Sequence, residues 1–396
     1  MSKLLTIAAA LLALPFAAVA AEPGVTDTEI KIGSIMPFSG PASALSEVGR
    51  SEAAYLRMLN DGGGINGRKI NLIALDDGYS PPKAVEQIRK LVEEDKVAFI
   101  FSPLGTPSNT AIVKYLNTRK VPHLLVVSGI SKFSDHRTYP YTTTALVNYV
   151  AEGRIYGKVI QKEKPGSRIA VLYQNDDLGK DYLAGLRDTF RDQYDKLVSS
   201  ASYELTDPTV DSQVIGLKAT GAEVLLVAGT PKFAAQAIRK AHDIGWKALV
   251  IINVPSSSVA ATLQPAGLDR SVGVITGAIT KDPDDPKWKD DPAVAGYRAF
   301  IAEYLPGANA SDANIVYGYN QAMILEQILR QCGNDLSREN IMKQALSLRD
   351  LSLPMLRPGI RINTSPTNHQ TYTQLQLQRW NGRSWDHLGD AISGAD

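Results

Sequence analysis

Short apolar runs alternate along the chain with segments whose apolar residues recur every third or fourth position, and residues 97–131 show this most clearly. Val97–Phe101 is a continuous apolar run, as expected of a parallel strand buried on both faces. A polar loop follows, then a helical pattern, then a second apolar run over Leu124–Val127. The apolar residues of the predicted helix are Ala111, Ile112, Tyr115 and Leu116. The stretch predicts a strand, a helix and a second strand in parallel.

Loops of small and polar residues follow both predicted strands, at residues 102–109 and Ser128–Ser131. The carboxyl ends of parallel strands meet at one edge of a sheet, and open α/β sheets bind ligands there. We place the start of the helix at Ser108–Asn109, where free backbone N–H groups favour an anion. An ordinary strand-to-helix loop capped by Ser108 is the alternative interpretation.

The same alternation divides the chain into two blocks, with a break near Thr142–Ala145. Residues 29–131 predict the order β-α-β-α-β-α-β, and residues 168–258 repeat this plan. The chain is longer than a single hydrophobic core usually supports, so we expect two α/β lobes with a cleft between their strand-end loops. Near the end, Asn381-Gly382 between two alternating segments predicts a β-hairpin.

Met1–Ala20 has the pattern of a secretory signal peptide, with Lys3, the apolar run Leu4–Ala18, and small residues before the cleavage site. We expect cleavage after Ala20 and, in a bacterium, a periplasmic location. The 42 Lys and Arg residues nearly balance the 41 Asp and Glu residues, so no basic surplus predicts binding to nucleic acid. Cys332 is the only cysteine in the sequence, so we expect no internal disulfide.

The sequence motifs of enzymes are missing or stand in the wrong context. The glycine-rich segment Gly62–Gly67 matches a dinucleotide-binding fingerprint in letters, but it follows a predicted helix and precedes a strand, so we interpret it as a turn. The 5 histidines lack metal-site spacing, and the sequence has no P-loop and no Gly-x-Ser-x-Gly elbow. We expect a binding protein rather than an enzyme, with no catalytic residue, metal or cofactor.

Segments along nearly the whole chain carry a family resemblance in their order and spacing: IKIGSIMPFSGPAS, GGINGRKINLIALDD, PLGTPSN, SGIS, LYQNDDLGKDYLAGLRD and YGYNQAMILEQIL. With them the chain resembles the type I periplasmic solute-binding proteins of ABC transporters, the Leu/Ile/Val-binding group. The resemblance implies an α/β fold of two flavodoxin-like three-layer lobes that close on a small-molecule ligand. It also implies delivery to a membrane permease that a separate ATPase drives. We expect a monomer and no nucleic acid partner.

The resemblance also implies three crossovers between the lobes, near Thr142–Ala145, Thr276–Thr280 and Leu353–Pro358. Lobe one is then formed by residues 24–143 and 279–354, and lobe two by residues 144–278 and 355–396. The late hairpin would complete lobe two.

The resemblance further implies a set of ligand-binding positions on both lobes. Two lobe-one loops would hold the ligand carboxylate through backbone N–H and hydroxyl groups: Gly105, Thr106, Ser128, Gly129 and Ile130. The loop after the first strand would contribute Leu45, and lobe two would contribute Leu178, Thr230 and Ser256.

The chain departs from the family pattern in two places. Ser256 stands where amino-acid binders place the carboxylate that holds the ligand ammonium, and a desolvated ammonium needs a counter-charge. Asp176 or Asp177 could replace that charge, but we favour a helix cap and a solvated loop for them. In addition, Tyr79 and Gly105 stand where the family has paired cysteines.

We therefore predict a binding protein for a small organic carboxylate, with aromatic acids among the candidates. A branched-chain or other apolar amino acid, or an amide, is the first alternative. A ligand-sensing protein of the same fold, with no role in transport, is the second.

Overall fold

The computed structural model describes residues 22–394, so the predicted signal peptide lies outside the described residues. The strands are β1 (Glu29–Met36), β2 (Lys69–Asp76), β3 (Ile100–Phe101), β4 (His123–Val126), β5 (Thr142–Thr144), β6 (Ile169–Gln174), β7 (Val198–Tyr203), β8 (Val224–Ala228), β9 (Leu249–Ile252), β10 (Ile275–Ala278), β11 (Gln374–Trp380), β12 (Trp385–His387) and β13 (Ile392–Ser393). The helices are α1 (Glu47–Asp61), α2 (Pro81–Arg89), α3 (Thr106–Thr118), α4 (Tyr149–Glu163), α5 (Asp177–Phe190), α6 (Tyr194–Leu197), α7 (Asp211–Ala219), α8 (Pro231–Asp243), α9 (Gln264–Ala266), α10 (Pro292–Tyr304), α11 (Ala313–Cys332) and α12 (Arg338–Ala345).

Lobe one is built on a parallel sheet in the order β2-β1-β3-β4-β5. Helices α2 and α3 cover one face, where Ile88, Ile112 and Leu116 pack against Ile35 and Ile100. Helices α1 and α11 pack together on the other face. Burial on both faces explains why these strands are continuous apolar runs.

Lobe two is built on a larger sheet in the order β12-β11-β10-β9-β8-β6-β7, with β13 paired to β11. The strands from β6 to β10 are parallel, and β11 runs antiparallel to β10. Helices α4 and α5 pack against each other, and α7 and α8 pack in a separate core with Leu225 and Val227. The predicted hairpin is confirmed, because Trp380 pairs with Trp385 across the turn.

Three connections join the lobes: after β5, after β10 and before β11. They are hydrogen-bonded to one another. Thr280 pairs with Leu356, and Thr144 pairs with Gln370. The backbone N–H of Arg357 donates to the Ile279 carbonyl at 3.0 Å. The predicted fold class, two three-layer α/β lobes with three crossovers, is what the structure shows, while the exact lobe boundaries stay a prediction.

Two details of the predicted 97–131 stretch were wrong. The strand ladder is limited to Ile100–Phe101, although Val97, Ala98 and Phe99 are buried beside it. Helix α3 begins at Thr106 rather than at Ser108–Asn109, because Gly105 has φ +112° and turns the chain into the helix two residues earlier. The Ser108 hydroxyl does not cap the helix and donates instead to Asp77 Oδ2 at 2.5 Å.

Helices α1 and α11 approach each other closely at Gly318. A Cβ atom added there would lie 2.3 Å from the Val48 carbonyl oxygen. Beside it, the buried Ser51 hydroxyl donates to the Ile315 carbonyl at 2.7 Å. The contact fixes α11, whose first turns face the cleft described below.

We predict opposite effects for two glycine-to-alanine changes. Gly318→Ala should lower the free energy of unfolding by roughly 1–3 kcal/mol, since the methyl group overlaps backbone that cannot move alone. Gly296→Ala, on the exposed face of α10 with no atom within 4 Å of the new Cβ, should raise it by about 0.5–1 kcal/mol. Urea unfolding of both variants checks this, and equal effects would contradict the close packing.

Candidate ligand-binding site

A cavity lies between the two lobes, at the carboxyl ends of their parallel strands. Lobe one contributes strand-end loops and the first turns of α3 and α11, and lobe two contributes the loops after β6, β8 and β9. Most of the wall is apolar. Its apolar members include Leu45, Val48, Leu104, Val127, Leu146, Leu178, Val254, Val259 and Ile279.

The nine predicted site residues fall into two groups by position. The residues in the cavity wall are Leu45, Gly105, Thr106, Leu178 and Thr230. The residues that lie behind the wall are Ser128, Gly129, Ile130 and Ser256, all buried or, for Gly129, covered by a tyrosine. Their roles in binding stay predictions.

The start of α3 presents the Thr106 hydroxyl to the cavity, and the Ser128 hydroxyl lies behind it. Thr106 Oγ1 and Ser128 Oγ lie 2.8 Å apart, and both side chains are almost fully buried. Helix α3 has no side-chain cap. Ser128 is therefore in hydrogen-bond contact with Thr106 without itself lining the cavity.

Two tyrosines that the sequence analysis did not assign to the site complete this wall. The Tyr149 ring covers Gly129, where an added Cβ would lie 2.8 Å from the ring, and the Tyr149 N–H donates to the Gly129 carbonyl at 2.7 Å. Tyr79 packs on Gly105, where a Cβ would lie 2.6 Å from Tyr79 Cε2. In the sequence, Tyr79 stood out only as a departure from the family's cysteine pair. In the structure, its ring fills the space beside Gly105.

On lobe two, several polar groups of the loops after β8 and β9 form hydrogen bonds within the protein. The Thr230 N–H donates to the Tyr203 hydroxyl at 3.1 Å, while the buried Thr230 Oγ1 has no hydrogen-bond partner among the described residues. The Ser256 hydroxyl donates to the Gly229 carbonyl at 2.8 Å. Ser256 thus supports the loop, and Pro255 and Ser257 line the cavity beside it.

Four helices point their N-terminal ends at the cavity, through Thr106 of α3, Leu178 of α5, Thr230 before α8 and Asn314 of α11. Asp176 caps α5 and Asp312 caps α11. Helices α3 and α8, one from each lobe, have no side-chain cap. The unpaired N–H groups of a helix start and its dipole both favour a negative charge.

Asp176 and Asp177 lie outside the cavity wall. Asp176 accepts the Leu178 N–H at 2.9 Å, which confirms the predicted cap, and burial raises its pKa to about 6. Asp177 is not simply solvated, since it accepts from Lys132 Nζ of lobe one at 2.5 Å. Both carboxylates have structural partners.

Polar contacts between the lobes flank the cavity on both sides. On the α5 side, Lys132 pairs with Asp177, and the Ser131 hydroxyl donates to Asp181 Oδ1 at 2.9 Å. On the α11 side, the Ser258 hydroxyl donates to Asp312 Oδ1 at 2.9 Å. These contacts close the cleft around the cavity.

A charged group at the far end of the cavity was missed by the sequence analysis. Arg357 is 1% exposed, and burial lowers its pKa to about 10. Asp282 also lines this end, and burial raises its pKa to about 6. No motif signals these residues, because the second and third crossovers bring them together from distant parts of the chain.

The family model described as periplasmic binding protein matches residues 29–384. The chain therefore belongs to the periplasmic binding protein family. A Leu/Ile/Val-binding protein homolog 7 from Brucella suis is 25% identical over 385 residues, covering 93% of this chain and 94% of the relative.

Solved structures share the fold. A branched-chain amino acid ABC transporter protein from Thermus thermophilus with bound valine has a TM-score of 0.82 at 15% identity, covering 93% of this chain and 97% of that one. A fatty acid ABC transporter substrate-binding protein from Thermomonospora curvata has a TM-score of 0.79 at 21% identity, covering 94% of both chains.

The family match confirms the prediction of a binding protein rather than an enzyme, because the family model and the Brucella suis relative are both described as binding proteins. Within residues 22–394, no helix has the length and apolarity to cross a membrane. The same residues contain no group of three or more His, Cys, Asp or Glu side chains that could hold a metal ion.

A buried carboxylate supports the lobe-two wall. Glu152 of α4 is 1% exposed and its Oε1 accepts the backbone N–H of Val254, a cavity residue, at 2.8 Å. Burial raises the pKa of Glu152 to about 7, although the Val254 hydrogen bond opposes the shift. The folded protein therefore holds this proton more tightly than the unfolded chain does.

We predict that Glu152→Gln changes the pH dependence of stability. A raised pKa gives stability that is present below the unfolded value of 4.5 and is lost as the pH rises through about 7. Glutamine stays neutral. The free energy of unfolding of the variant, relative to that of the wild type, should therefore rise by about 1–3 kcal/mol between pH 4.5 and pH 8. Denaturant unfolding at both pH values measures this. Glu86→Gln, on the exposed surface of α2, is the control, and an unchanged difference between wild type and Glu152→Gln would contradict the assignment.

Proposed function

We propose that the protein is the substrate-binding subunit of an ABC importer, working as a monomer in the periplasm. It binds a small organic carboxylate between its lobes and delivers it to a membrane permease that a separate ATPase drives. The observation that carries the proposal is the pair of uncapped helix starts, α3 from lobe one and α8 from lobe two, that face one cavity.

An anion between the N-terminal ends of α3 and α8 would accept hydrogen bonds from polar groups of both lobes. The Thr106 N–H and hydroxyl at the start of α3 and the buried Thr230 Oγ1 all lie in the cavity wall. Ser128 holds the Thr106 hydroxyl, and Gly129 and Ile130 belong to the loop beneath it. Leu45 and Leu178 supply apolar surface for the body of the ligand.

The lobe-two wall next to this site favours an acid without an α-amino group. The position that amino-acid binders use for the ammonium is Ser256, whose hydroxyl is bound to the Gly229 carbonyl. Asp176 is bound to the start of α5 and Asp177 to Lys132. An ammonium there would be desolvated without a counter-charge.

An apolar amino acid is the second candidate, because the Brucella suis relative is named a Leu/Ile/Val-binding protein and the Thermus thermophilus structure contains valine. Competition calorimetry on matched pairs separates the two: leucine with 4-methylpentanoate, and phenylalanine with 3-phenylpropanoate. Binding of leucine at micromolar concentration without binding of its amine-free partner would favour the second candidate. Loss of uptake in cells lacking the gene would separate transport from sensing.

We predict that Thr106→Val weakens binding of the carboxylate that a thermal-shift screen of organic acids identifies. The change keeps the side-chain shape and removes one hydroxyl next to the proposed anion. A hydrogen bond to a charged group is worth roughly 1–2 kcal/mol here, so the Kd should rise about 5- to 30-fold in calorimetry.

The matched control is Thr118→Val at the exposed C-terminal end of the same helix. This control should leave the Kd unchanged. An unchanged Kd in Thr106→Val would remove Thr106 from the site, and a lowered melting temperature in that variant alone would show that the loss is not specific to the ligand.

A further inference from the structure

The cavity extends along the edge of the lobe-two sheet, well past the proposed carboxylate site. Leu178 follows β6 and Thr230 follows β8, while Gln378 lies on β11 and Trp385 on β12. Three strand spacings separate β8 from β11, which corresponds to about 14 Å. The cavity therefore has room for a ligand that extends well beyond its carboxylate group.

The far end of the cavity differs from the apolar middle. Arg357, Gln378, Lys281 and Asp282 line it. The Arg357 guanidinium donates to the Thr280 carbonyl at 2.9 Å, to Gln376 Oε1 at 3.2 Å and to Gln378 Oε1. Lys281 Nζ is bound by Asp291 at 2.6 Å and by the Pro354 carbonyl at 2.8 Å. Both cations are thus held by the protein itself.

Asp282 has a carboxylate oxygen at this end that remains open to a ligand. Its Oδ1 accepts the Asp284 N–H at 2.9 Å, which leaves Oδ2 free to accept another hydrogen bond. The side chain is half-buried and also borders a second, adjoining cavity with Val259 and Ser311. Around it lie Arg357 and Lys281, each held by protein oxygens, and the Asp285 carboxylate.

We propose that Asp282 accepts a hydrogen bond from a donor group at the end of the ligand opposite its carboxylate. The ligand class is then an elongated acid whose far end carries a hydroxyl, an amide N–H or an amine. This inference rests on the proposed carboxylate site. A second carboxylate would instead meet the Asp282 charge, and Arg357, which is 1% exposed, has three of its five N–H groups bound to protein oxygens.

Straight-chain acids of roughly four to eight carbons provide the test, since each has the carboxylate and only the far end varies. The far ends compared are methyl, hydroxyl, carboxamide, ammonium and carboxylate. We expect the best donor-ended acid to bind wild-type protein roughly tenfold more tightly than the methyl-ended acid of equal length, with the dicarboxylate weakest. Calorimetry gives each Kd.

Two variants assign the preference to Asp282. Asp282→Leu should abolish it while the methyl-ended acid binds as well as before or better. Asp282→Asn, which keeps the shape, should reduce the preference for the ammonium end most. Asp290→Leu, an exposed acid of the same loop, should keep the wild-type preference.

Other results would contradict either the role of Asp282 or the carboxylate site. Equal or tighter binding of the methyl-ended acid or the dicarboxylate by wild-type protein would overturn the inference and leave the proposed carboxylate site standing. A donor preference that persists in Asp282→Leu would also overturn it. Binding of donor-ended alcohols and amines as tight as that of the acids would contradict the carboxylate site itself.

Discussion

The pairing between the second and third crossovers is the constraint on which the cleft depends. Arg357 takes part twice, because its backbone N–H binds the Ile279 carbonyl and its side chain binds the Thr280 carbonyl. The pairing of Thr280 with Leu356 keeps the two segments in register. Since both segments pass between the lobes, the same bonds that tie the lobes together also place charged side chains at one end of the cavity.

The two ends of the cavity use different chemistry. At the α3 end, the Thr106 N–H and hydroxyl offer polar hydrogens without a basic side chain, which suits the proposed carboxylate. At the crossover end, full charges are present but two of them are already bound within the protein. With an apolar wall between the two ends, the proposed site would select ligands by the spacing between their polar groups.

The alternation of apolar runs and helical patterns was enough to predict the two lobes, the hairpin at Asn381 and the turn that brings Gly105 and Thr106 to the cleft. It failed on the α3 start because a glycine at positive φ can begin a helix before the expected polar cap. It could not find Tyr149, Asp282 or Arg357, since none belongs to a local motif. They reach the cavity through crossovers whose pairing is a property of the whole chain.

The polar contacts that flank the cavity on both sides also bear on how fast the ligand is exchanged. A ligand enclosed between the lobes leaves only when Lys132 separates from Asp177 and Ser258 from Asp312. The half-exposed ion pair is weakened by salt, whereas the buried Ser258 bond is not. If the proposed function holds, the residence time of the ligand would be set partly by these contacts between the lobes, and higher ionic strength would shorten it through the ion pair.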